Sequence, residues 1–95
     1  MQYTYSLILH NAAEITIKRA CDLADKIQVH IDREGTHVQG VTVKKKSVSI
    51  IIETPTQLND LFNLIYDNRI AFGYKDFSIY YSEGFDRIVE RGYGQ

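Results

Sequence analysis

The chain has 95 residues, enough for one domain with its own core. At 44% hydrophobic and 24% charged, its composition excludes a disordered chain. The formal net charge of −1 argues against bulk nucleic acid or an anionic membrane as main partner, and the lone cysteine, Cys21, excludes an internal disulfide.

Uninterrupted apolar runs such as Ile50 to Ile52 are far too short to span a membrane. Met1-Gln-Tyr-Thr-Tyr carries no basic segment followed by an apolar block, so no signal peptide is expected. The expectation is a cytoplasmic protein with no membrane partner.

Tyr3, Tyr5, Leu7 and Leu9 alternate with Thr4, Ser6, Ile8 and His10, which predicts a first strand with one apolar face. Asn11 and Glu14 have the spacing of a capping box. Ala13, Ile17, Ala20, Ala24 and Ile27 then form a helical stripe, widened by Cys21 and Leu23. From Ile27 to Asp32 the pattern reads as period two, with Val29 and Ile31 on one face, predicting a second strand. Arg33-Glu-Gly-Thr36 is a turn signal, and Val38 begins a return strand. The apolar parity shifts between Val38 and Val41, which predicts a β-bulge or bend at Gly40. Lys44-Lys45-Lys46 turns the chain into the next strand.

The clearest signal is 47–66. Val48, Ile50 and Ile52 alternate as a half-buried strand. Thr54, Pro55 and Gln57 read as a capping box with proline at the first helical position. Leu58, Leu61, Phe62 and Ile65 follow at core-facing helical spacing. Asp67-Asn68 and Gly73 mark a helix end and a loop. Phe77, Ile79 and Tyr81 alternate as a last strand, which Gly84 breaks. Phe85, Ile88 and Val89 read as a short amphipathic helix stopped at Gly92.

This order predicts an α+β fold, an open antiparallel-rich sheet with two helices on one face. It is the ferredoxin-like split βαβ arrangement, β-α-β-β-β-α-β plus a short C-terminal helix. An HPr-like open-faced sandwich shares the early part of that order. Either is a common architecture that carries little functional information.

Several residue groups are candidates for chemistry. A two-residue turn at Glu34-Gly35 would pair Asp32 with His37 and bring His30 alongside, as a metal or proton-transfer site. A three-residue turn would send the two histidines to opposite faces. Cys21 reads as a small packed residue rather than a nucleophile, because no base or cationic setting accompanies it. Lys44, Lys45 and Lys46 could contact phosphates, or could be a solvated turn that discourages edge pairing. The 68–76 loop carries Arg69, Phe72, Tyr74 and Lys75, residue types that favour recognition.

Ile8, Ile51 and Tyr80 project opposite the core parity of their strands. On neighbouring strands they would form an apolar patch ringed by Thr4, Ser6, Ser49 and Ser78. No paired carboxylates and no phosphate-cradling glycine loop accompany them, so neither an enzyme nor a cofactor is expected. The reading is a small protein-binding module, an accessory or inhibitory factor of the kind mobile elements carry. It would act through the sheet face or the 69–75 loop, and the same face would serve for a homodimer. The alternative is nucleic-acid or nucleotide binding through Lys44, Lys45 and Lys46.

Overall fold

The computed structural model describes residues 2–12, 14–31, 34–74, 76–82 and 88–94, without the side chains at 15, 17 and 72. The elements are β1 (Tyr3–His10), α1 (Glu14–Lys18), α2 (Ala20–Ile31), β2 (His37–Lys44) and β3 (Ser47–Thr54). Then come α3 (Leu58–Asp67), α4 (Arg69–Phe72), β4 (Asp76–Ser82) and β5 (Ile88–Tyr93). The five strands form one antiparallel sheet in the order β2-β3-β1-β4-β5. The class is therefore α+β with an open sheet. No helix among the described residues is long and apolar enough to cross a membrane.

The alternation read from the sequence sets the two faces. Tyr5, Leu7 and Leu9 of β1 pair with Ile52, Ile50 and Val48 of β3. Leu7 and Leu9 also pair with Ile79 and Phe77 of β4. All of these are buried, and they meet Leu23, Ile27 and Ile31 of α2 and Leu61 and Ile65 of α3 in one core. Each such side chain contributes about 1.5–3 kcal/mol by leaving water. Both long helices thus cover the same side of the sheet, and among the described residues no helix covers the other.

The sequence reading of the elements fails in several places, three of which decide the architecture. Residues 27–31 are the end of α2, not a strand. The core takes Ala20, Leu23, Ala24, Ile27 and Ile31, a helical stripe, while Val29, which suggested period two, is 72% exposed. So the extra strand does not lie between the helices. It is β5, at the C-terminal edge, where a short helix was expected. There Val89, Arg91 and Tyr93 pair with Tyr81, Ile79 and Phe77 on the helix side. Gly92 suits that strand, because a Cβ there would meet Ser78 Oγ at 3.2 Å and the Phe77 carbonyl at 3.3 Å. The strand order therefore differs from the arrangement expected.

Third, the Thr54 cap is not made. Thr54 ends β3 and is fully buried, and α3 starts later, with Gln57 as its N-cap and no side-chain cap bond. The Gly40 bulge is present: pairing slips between Gln39 and Thr42, and Gly40 takes φ +65°. Ala13, Asp32, Arg33, Gly84, Phe85 and the side chain of Ile17, all used above, lie outside the described residues.

Candidate protein-binding face

Register brings Ile8, Ile51 and Tyr80 together on the open side of the sheet. Ser6 of β1 is paired with Ile51 on β3 and with Tyr80 on β4. Ile8, two residues on, is paired with Ser49 and Ser78. Ile8 is therefore the diagonal neighbour of both apolar side chains, about 7–8 Å from each across the sheet. All three are half-buried, and so are Ser6 and Ser49 between them. Among the described residues, no helix lies over this face.

The bulge on β2 shapes one side of the patch. A Cβ on Gly40 would stand 2.9 Å from Ile51 Cγ1, so the bare glycine backbone is what lets β2 close over Ile51. On the other side, Glu90 of β5 is paired with Tyr80. Glu53 accepts a hydrogen bond from the Gln39 amide at 3.1 Å. The patch is thus an apolar centre with a polar margin, the usual anatomy of a contact surface.

A serine, a histidine and an aspartate also meet on this face, a grouping the linear sequence does not reveal. His10 Nε2 lies 3.2 Å from Ser78 Oγ, and His10 is the register partner of Asp76. Only the β1–β4 register could have disclosed it. Ser78 is fully buried, and Asp76 Oδ2 accepts from the Asn11 amide at 3.3 Å. A hydroxyl closed off from solvent cannot attack a substrate, so the group ties the strands together.

The other candidate groups separate. His30 sits on α2, exposed, with Nδ1 2.8 Å from the Lys26 carbonyl oxygen, whereas His37 begins β2. No hairpin register can join them, because His30 is not on a strand. Asp32 lies outside the described residues, and among those described no group of three His, Cys, Asp or Glu side chains could hold a metal. Cys21 is exposed in the first turn of α2, a correction to the packed position expected. The stripe of α2 passes through Ala20 and Leu23 instead.

In the segment expected as a recognition loop, Arg69–Phe72 form the short helix α4, and Tyr74 after it is buried. Tyr74 is 3% exposed, and its hydroxyl donates to the Ile65 carbonyl at 2.7 Å. Burial pushes that hydroxyl's pKa well up, against a smaller opposing pull from Arg69. Arg69 lays its guanidinium over Tyr66 at 4.0 Å and Tyr93 at 5.0 Å, and donates to the Tyr66 carbonyl. Both side chains are thus held by contacts within the fold. The side chain of Phe72 and all of Lys75 lie outside the described residues.

Lys44, Lys45 and Lys46 are exposed at the β2–β3 turn, where the Lys46 carbonyl accepts from the Ala12 amide at 3.0 Å. A hollow of about 460 Å³ lies between α2 and α4. Its walls mix Arg19 and Lys26 with Asp22 and Asp25, so its charge favours neither anion nor cation. No family model matches the chain, and neither a curated protein nor a solved structure matches it.

Proposed function

We propose that this chain is a small non-catalytic module that binds another protein through the open face of its sheet, as an accessory or inhibitory factor. The observation that carries the reading is the half-buried trio of Ile8, Ile51 and Tyr80, set diagonally across the three central strands. Apolar groups at the middle of a polar-rimmed face gain most when a second surface excludes water from them. The order β2-β3-β1-β4 supports reading the first four strands as a ferredoxin-like arrangement extended by β5. Arg69 and Tyr74 are engaged within the fold, so the reading rests on the sheet face rather than on that segment.

Ile51→Asp and Tyr80→Asp test the proposal. Each places a carboxylate in the centre of the contact, away from the core. Capture of the host partner on immobilised protein should fall at least tenfold in both, with unchanged far-UV circular dichroism. Wild-type capture by both folded variants would remove the sheet face from consideration.

One observation favours a second reading, nucleic-acid or nucleotide binding: three exposed ammonium groups stand at a single hairpin tip. Tyr80 is the tyrosine on the open face, while Tyr3, Tyr5, Tyr81 and Tyr93 lie on the helix side and offer no stacking platform there. That reading requires an affinity that falls steeply with salt.

A further inference from the structure

We infer that the occupant of the open face is a second copy of this chain, packed face to face with its two-fold axis along β1. The inference rests on the sheet-face reading above and names its partner.

It follows from register. β1 is the middle strand of five, with β3 and β2 to one side and β4 and β5 to the other. An axis along β1 lays β3 of one protomer over β4 of its partner, and β2 over β5. Residues in one row across the sheet then meet their mirror positions. One such row reads Gln39, Ile51, Ser6, Tyr80, Glu90. In the pair, Ile51 meets Tyr80 of the partner subunit, and this happens twice. Ser6 meets the partner's Ser6, a contact with no bulk to hold the sheets apart. Gln39, an amide, meets Glu90 of the partner subunit, a carboxylate it can donate to. The next row reads Thr42, Ser49, Ile8, Ser78, Gly92, and centres Ile8 on the partner's Ile8.

The charges agree with the same axis. Lys44 lies on β2, two strands from the axis, and Asp76 lies on β4, one strand away on the other side. Rotation about β1 brings the lysine of each copy diagonally next to Asp76 of the partner subunit. None of the pairs named sets like charges against each other, as an isologous contact requires. Aligned sheets pack in this way, with side chains interdigitating about 10 Å apart.

The face is small. Five strands about 4.8 Å apart, with rows about 6.8 Å apart, give roughly 400 Å² of flat contact. That is the small end for a specific pair, so a dimer that dissociates in the micromolar range is expected.

The test uses the intact chain with Cys21→Ser as background, since Cys21 is exposed. Ile51→Cys and Tyr80→Cys are made in separate proteins. Treated with a short thiol-to-thiol crosslinker that spans the roughly 10 Å between packed sheets, each alone should stay uncrosslinked, because position 51 meets position 80. An equimolar mixture should give a covalent dimer joining one of each. Ser6→Cys should crosslink with itself. Sedimentation of the wild type should show mass rising from one to two chains as concentration rises.

A wild type that stays monomeric at hundreds of micromolar overturns the inference. So does crosslinking of each single variant with itself but not in the mixture, and so does binding only to nucleic acid. A monomer whose host partner is still lost on Ile51→Asp would leave the sheet-face reading standing and remove the second copy alone. Loss of both would remove both.

Discussion

The hydroxyls of Thr36 and Thr54 lie 2.8 Å apart in the interior, tying the segment before β2 to the end of β3. Thr54 Oγ1 donates to Thr56 Oγ1 at 3.0 Å and accepts from the Thr56 amide at 3.2 Å. Its one proton is then used, so Thr36 must be the donor of the pair. The Thr56 carbonyl accepts from Tyr5 at 2.8 Å, which ties β1 into the same cluster.

Thr54→Val keeps the shape and removes the hub. It leaves the Thr36 hydroxyl and the Thr56 amide without this partner, at a cost of about 1–3 kcal/mol. Thr54→Ser keeps the oxygen and should lose less. Urea unfolding of the three proteins checks this; equal stability of the valine variant and the wild type would contradict the hub.

Gly40→Ala should destabilise through two effects. Its φ of +65° disfavours a Cβ, and that Cβ would crowd Ile51 Cγ1. About 1–2 kcal/mol is expected from backbone strain alone. The crowding part should shrink in an Ile51→Ala background. A double-mutant cycle with no coupling would mean β2 does not close on Ile51.

Alkali should destabilise the protein from about pH 10. Burial, then the neighbouring Tyr3 and Tyr81, push the Tyr5 hydroxyl up to about 12 from its ordinary 10.0. The folded state therefore holds that proton where the unfolded chain releases it, and stability is full below pH 10 and falls as pH rises towards 12. Tyr74 acts in the same direction. Tyr5→Phe should flatten the decline of stability measured between pH 9.5 and 11, although it loses the bond to Thr56. An unchanged slope would mean that Tyr5 ionises as readily in the fold as in the unfolded chain.

Arg69→Ala should lower stability and leave partner binding unchanged. It removes a cation–π contact of about 0.5–2 kcal/mol and a hydrogen bond to the Tyr66 carbonyl. Thermal melts and the capture assay separate the two roles. Lost binding at unchanged stability would restore the 69–75 segment as a contact.

Much of the fold is legible in the chain because period two and period 3.6 are local properties. Leu7, Leu9, Val48, Ile50 and Ile52 declare their faces, and Gly40 declares its bulge by a shift of parity. Residues 27–31 mislead, because β-branched residues at every second position satisfy both periods over so short a span. Only contact with the sheet shows that Ile27 and Ile31 are used and Val29 is not. Ile88 to Tyr93 mislead in the opposite direction, since a strand at a sheet edge needs only one apolar side.

The sequence by itself determined which side of β1, β3 and β4 is apolar, and therefore that Ile8, Ile51 and Tyr80 stand on the other. It could not determine that these strands are neighbours, because strand order is settled by long-range pairing. The tertiary structure decided that Ser6 lies between Ile51 and Tyr80, that Tyr74 is buried and that β1 is central. Each of these depends on residues far apart in the chain being held against one another.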